Sequence, residues 1–292
     1  KEMFGHHGNL AVWLTVAALM AGCAGTGQEQ SGELQPSVNT TGNESDARNR
    51  ARIHTELAAG YFELGNLGVA LEEIRIAEQS DSTYAPVYNV AALVYAALKD
   101  DRRAEDNFNR ALRLLPGDPD ANNNYGMFLC QRKREAEGIK YLLMAVQNPL
   151  YQNPERSLVN AGVCARRRGD DASAQEFFLR AVALRPNQPL ALYQLADLAY
   201  ASANYAAAQG YLRRLAQAAQ ANAEVLWLAV RVERRMGNAN GEASYAQQLR
   251  KNFPESKEAA ALQADLRRDP IKQRFVSRLV CRRHPHPGLQ RH

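Results

Sequence analysis

Small residues recur at a nearly fixed interval: Ala58, Ala92, Gly126, Gly162, Ala196 and Val230, separated by 34, 34, 36, 34 and 34 residues. A period of this length constrains the fold more than any composition can. One unit is too short to bury its own apolar face, so successive units must stack and share a core. Three further columns keep the same phase. Ala70, Ala104, Gly138, Ala174 and Ala208 lie twelve residues on, with Ala243, one place past Glu242, the better match in the last unit. Four residues later come Ile74, Phe108, Leu142, Phe178, Leu212 and Ala246, and three later Ala77, Ala111, Ala145, Ala181, Leu215 and Leu249. Steps of four and three along one segment are helical. Gly65-Asn66, Gly169-Asp170 and Gly237-Asn238 mark turns, and Lys99-Asp100-Asp101 and Ala203-Asn204 are weaker versions. Pro116, Pro186 and Pro254 close three units. Each unit therefore reads as two antiparallel helices. Small residues let the pair approach, and the bulky column fills the gap to the next unit.

These columns resemble the tetratricopeptide repeat (TPR). The expected fold is all-α: six helix-turn-helix units at 51–84, 85–118, 119–154, 155–188, 189–222 and 223–256, wound into a right-handed superhelix within a body spanning 47–263. The resemblance implies a concave groove lined by the first helix of each unit. Positions on that face are Thr55 and Phe62; Asn89, Leu93 and Ala96; Asn123, Met127 and Cys130; Val159, Val163 and Arg166; Tyr193, Asp197 and Tyr200; and Trp227, Arg231 and Arg234. Such a mixture of aromatic, aliphatic and polar groups suits an extended or helical protein segment. A TPR subclass clamps C-terminal carboxylates with Lys, Arg and Asn. Here Thr55, Asn89 and Asn123 occupy the corresponding places without the lysines, which argues against that ligand mode.

The two ends read differently from the body. Leu10–Met20 is apolar but only eleven residues long, too short for a bilayer that needs about 20. Ala21-Gly22-Cys23 follows it. Small residues before a Cys resemble the bacterial lipobox, with Met20 where Leu is usual. The resemblance implies a signal peptide at 1–22, a diacylated Cys23, and, with Ala24 rather than Asp next, an outer-membrane anchor facing the periplasm. Residues 23–46 offer almost nothing to bury and read as a tether. Residues 265–292 hold eight Lys and Arg against Asp265 and Asp269, so the formal charge of +5 comes from the tail and the body is close to neutral. The stretch 264–292 reads as a basic, unstructured tail, and no nucleic-acid partner is expected. His54 is the only histidine between residues 8 and 283. A His-based metal site or a Ser-His-Asp triad is therefore nearly excluded in the body, and neither enzymatic activity nor a cofactor is expected.

Cys130 and Cys164 sit 34 residues apart on neighbouring units whose spacing is 36. That mismatch puts them two positions out of phase, which argues for two separate buried thiols rather than a bridge. The stretch Asn123-Asn124-Tyr125-Gly126-Met127-Phe128-Leu129-Cys130, then Pro149-Leu150-Tyr151, Pro154-Glu155-Arg156-Ser157 and Asn160-Ala161-Gly162, and further on Arg185-Pro186-Asn187-Gln188-Pro189 and Leu195-Ala196-Asp197-Leu198, with the lipobox in front, resembles the type IV pilus biogenesis lipoproteins of the PilF/PilW pilotin family. The resemblance covers residues 3 to about 263. It implies a non-enzymatic, monomeric escort that carries the pilus secretin subunit to the outer membrane and promotes its multimerisation. The residues expected to contact the partner are Phe62, Asn89, Leu93, Asn123, Met127, Tyr151, Arg166, Tyr193, Tyr200 and Trp227, with Tyr151 exposed on the Pro-bounded insertion. Asn122 is expected to cap its helix. A general periplasmic TPR scaffold is the alternative reading.

Overall fold

The computed structural model describes residues 45–268, and every element among them is an α-helix. Six pairs follow the repeat: α1 Asp46–Glu63 with α2 Leu67–Ser80, α3 Ala85–Ala97 with α4 Asp101–Leu114, and α5 Pro119–Gln131 with α6 Glu135–Gln147. Then come α7 Pro154–Arg167 with α8 Asp171–Leu184, α9 Pro189–Ala201 with α10 Tyr205–Ala218, and α11 Ala223–Arg235 with α12 Ala239–Asn252. A thirteenth helix, α13 Lys257–Arg268, follows. Each first helix packs on its own second helix, and each second helix of the first five units packs on the first helix of the next, so the body is a TPR superhelix. The lipobox Cys23, nearly all of the tether and residues 269–292 lie outside the described residues.

Local chemistry explains where helices start and stop. Pro119, Pro154 and Pro189 open α5, α7 and α9, where a missing N–H costs nothing. Side chains of Asp100, Asp118, Asp170, Asn204, Asn222 and Asn238 accept from backbone N–H groups in the first turn of their helices. The turn inside each unit needs a left-handed residue, and it falls at Gly65, Lys99, Lys133, Gly169, Ala203 and Gly237. Glycine fills three of the six places without strain.

The repeat columns form the core. Ala58, Ala92, Ala196 and Val230 are fully buried, as are Ala70, Ala104, Ala174 and Ala208. In the third unit the crossing is tightest. A Cβ on Gly138 would stand 2.5 Å from the Gly126 carbonyl oxygen, so backbone touches backbone there. Phe108, Leu142 and Phe178 fill the spaces between units.

Four expectations from the sequence need correcting. Ala243 is exposed. Glu242 occupies the in-phase position in α12, where Arg234 Nε donates to it at 2.9 Å. Asp118, not Asn122, caps α5. Asn122 is buried one turn inside and donates to the carbonyls of Pro116 and Asp118, locking the turn before the helix. The helical body is longer at both ends than expected: α1 begins at Asp46 behind a Ser45 cap, and α13 carries helix through Arg268, into the stretch read as tail. Ala259 and Leu262 of α13 are buried against Leu226, Val230, Ala246 and Leu249, so α13 seals the last unit.

The fourth correction concerns the cysteines. Cys130 and Cys164 form a disulfide between α5 and α7, with Cα atoms 5.7 Å apart. Residues at equivalent repeat positions on parallel neighbours point the same way and cannot face each other. A shift of two residues turns a helix by about 200°, which aims one side chain back at the other. The same phase offset that argues against the bridge in the sequence is what creates it in the fold.

Candidate functional site

The first helices carry two chains of polar contacts that meet at α7. The first runs from α3 to α7. Asn124 Nδ2 donates to Asn89 Oδ1 at 3.2 Å, and Asn123 Nδ2 donates to Asn124 Oδ1 at 3.1 Å. Asn123 Oδ1 in turn accepts from Ser157 Oγ and Asn160 Nδ2, both at 2.9 Å. The Tyr151 hydroxyl lies 3.4 Å from Ser157 Oγ. Because Ser157 gives its one proton to Asn123, the tyrosine is left to donate. Asn123, Ser157 and Tyr151 are all buried, and burial pushes the Tyr151 phenol pKa up. In this low-dielectric setting each amide dipole needs a partner, and each one named here has one.

Beside this chain is a cavity of about 250 Å³, lined by Leu93, Ala96, Met127, Asn124, Asn160 and Arg156 among others. Leu93 and Met127 are half-buried, with apolar surface still open. Asn89, Leu93, Asn123 and Met127 are thus brought together as the sequence implied. Asn123 also lines the cavity, but it is buried and its amide is taken up by Asn124, Ser157 and Asn160. Tyr151 is not exposed as expected: the insertion tucks it inward, and it is buried outside the cavity lining. Phe62 is half-buried and packs on the core cluster shared by the first two units, which includes Tyr88 and Val94, instead of lining the cavity.

The second chain runs from α7 to α11 and is ionic. Arg166 Nη1 donates to Gln194 Oε1 at 2.6 Å and to Asp197 Oδ2 at 2.9 Å. Arg231 approaches the other side of Asp197, its Nη2 3.9 Å from Oδ1. The Arg231 guanidinium sits 4.7 Å from the Tyr200 ring centre and 5.9 Å from that of Trp227. Tyr193 is part of the group; burial, with Asp197 and Glu224 nearby, pushes its phenol pKa up. Arg166, Tyr193, Tyr200 and Trp227 therefore gather around a carboxylate on the middle helix. Gln194 had no signal in the sequence and Ser157 stood out only within the Pro154-Glu155-Arg156-Ser157 stretch, since both lie between the columns that carry the period.

The Cys130–Cys164 bridge ties α5 to α7 within the first chain and so braces the helix at which the two chains meet. Among the described residues, no group of three His, Cys, Asp or Glu could hold a metal ion. The arrangement offers a ridged row of side chains for another polypeptide.

No family model matches the chain. The type IV pilus assembly protein PilF of Pseudomonas aeruginosa is 30% identical over 240 residues, covering 82% of this chain and 94% of PilF. The solved structure of Pseudomonas aeruginosa PilF superposes with a TM-score of 0.69 at 30% identity, covering 75% of this chain and 99% of that one. The crystal structure of PilW, described as a widely conserved type IV pilus biogenesis factor, gives 0.65 at 30% identity, with 73% and 98% covered. Likeness over nearly the whole of both relatives, on the same superhelix, places this chain in the PilF/PilW family of type IV pilus biogenesis TPR proteins.

Proposed function

We propose that this chain is a pilotin: a lipoprotein held in the outer membrane through Cys23 that binds the pilus secretin subunit and promotes its localisation and multimerisation. The observation that carries the reading is the likeness to PilF, which runs through the whole repeat body rather than through single repeats. The Cys23 lipobox and the tether after it supply the anchor and the reach. The role is binding and delivery, not catalysis.

The grip is assigned to the cavity between α3, α5 and α7. Leu93 and Met127 are its open apolar groups, and the amides of Asn124 and Asn160 stand beside them. This is the chemistry that holds an apolar side chain while hydrogen-bonding a backbone. Tyr151 supports the site from within, so only the cavity residues are fit for a contact test. Leu93→Asp with Met127→Asp should leave the helical circular dichroism spectrum intact and abolish heat-resistant secretin multimers in cells. A folded, membrane-anchored double variant that assembles secretin normally sinks the assignment. For the anchor, Cys23→Ala should release the protein from the membrane fraction and remove fatty-acid labelling.

A further inference from the structure

We infer that Arg231 anchors a second binding site, separate from the α3–α7 cavity, for a carboxylate carried by an acidic protein segment. Arginine has five N–H donors in a planar fork. Arg231 leaves this fork under-used: its Nε is shielded from solvent without a hydrogen-bond partner. The Asp197 oxygen facing it, at 3.9 Å, is beyond hydrogen-bonding distance. The other oxygen of Asp197 accepts from Arg166 at 2.9 Å, which holds the carboxylate on the Arg166 side. Two guanidiniums thus compete for one carboxylate, and Arg231 is the one left over.

The surroundings hold the fork in place. The Tyr200 and Trp227 rings flank the guanidinium within cation–π range, 4.7 and 5.9 Å from their ring centres, which restrains it and lowers the entropy lost on binding. The Arg231 side chain is 31% exposed, so an incoming group can reach it. The ligand class follows from the charges. A carboxylate matches the guanidinium with two parallel hydrogen bonds. Asp197 repels any incoming anion, and a phosphate of nearly two charges more than a carboxylate of one. Tyr193, Tyr200 and Trp227 supply apolar walls for the residues flanking the acidic one. The inference does not depend on which protein supplies the segment.

Trp13 and Trp227 are the two tryptophans of the chain, so Trp13→Phe makes Trp227 the sole reporter. The probes are two acetylated, amidated pentapeptides, Ala-Leu-Glu-Leu-Ala and Ala-Leu-Gln-Leu-Ala, titrated against the full chain while Trp227 emission is followed. The Glu peptide should bind about tenfold tighter than the Gln peptide, and added salt should shrink the difference. Arg231→Gln should remove the preference. Arg231→Lys, which keeps the charge but not the fork, should retain only a small part of it. Asp197→Asn, which removes the competing charge, should strengthen Glu-peptide binding. Equal affinities for the two peptides, binding of neither at ten-millimolar concentration, or a preference that survives Arg231→Lys and does not rise in Asp197→Asn overturns the inference.

Discussion

The two halves of the row of first helices use their polar side chains in opposite ways. From α3 to α7 the groups are neutral, largely buried and closed on one another: Asn123 alone joins Asn124, Ser157 and Asn160. From α7 to α11 they are charged and half-exposed, and Arg231 is left over. Equivalent repeat positions therefore serve different ends. A buried amide must be satisfied internally or it destabilises the fold, so the first chain of contacts is committed to structure. A half-exposed charge can be satisfied by water, and the second chain keeps capacity for a ligand. Apolar contact is what the first half offers a partner, and charge is what the second half offers.

The largest expected effect comes from cutting the cross-link inside the first half, a constraint the second half lacks among the described residues. The Cys130–Cys164 bridge closes a loop of 34 residues containing all of α6. On the chain-entropy account a loop of that size is worth about 3–4 kcal/mol. Cys130→Ser with Cys164→Ser should lower the urea midpoint followed by circular dichroism by a corresponding amount, and reduction of the parent should do the same. A loss under about 1 kcal/mol would mean that the amide chain alone fixes the α5–α7 junction.

Next in size is crowding at the third unit. Gly138→Ala forces a methyl group against the Gly126 backbone carbonyl and should cost about 1–3 kcal/mol. Gly210 in α10 is the control, because a Cβ there meets nothing within 4 Å. Gly210→Ala should stabilise by up to about 1 kcal/mol through helix propensity. Equal effects at the two sites would show that helix-pair spacing is the same in both halves.

A comparable cost is expected for Asn123→Ala, about 1–3 kcal/mol, because it strands the Ser157 hydroxyl and the Asn160 amide. Hydrogen exchange should report the loss in α5 and α7 first. If instead the variant matches the parent in stability, the amide chain is not structural, and Asn123 serves the cavity rather than the scaffold.

How much of this was legible follows from the same division. The repeat columns are buried alanines, leucines and phenylalanines. Their identity follows from the space available, so the period, the helix pairs and the turn glycines could be read directly. Lys99, Lys133 and Ala203 adopt left-handed backbone without glycine, which is why the turns at Lys99 and Ala203 gave weaker signals and the one at Lys133 gave none. Helix α13 falls outside the period and buries few apolar groups, so its Arg-rich end read as tail. The polar side chains were harder. Whether Asn123 faces a ligand or a neighbouring serine depends on how α5 and α7 are rotated, and no single-residue property carries that. The two-residue insertion set this rotation. Its effect on Tyr151 and on the cysteine pair was therefore misjudged together, for one geometric reason.

The smallest effect is the most discriminating. Arg166 holds Asp197 at 2.9 Å, yet both side chains are 28% exposed. Ion pairs in such settings contribute about 0–1 kcal/mol, since water and salt compete for both charges. Arg166→Gln should therefore barely move the urea midpoint, and less so at high salt. It should nonetheless change binding at the neighbouring site, because Asp197, released from Arg166, becomes free to close on Arg231 and fill the fork a ligand would use. Stability unchanged and Glu-peptide binding weakened is the expected pattern. Stability reduced as much as by Asn123→Ala would erase the distinction between the halves, since the ionic chain would then be as much a part of the scaffold as the amide one.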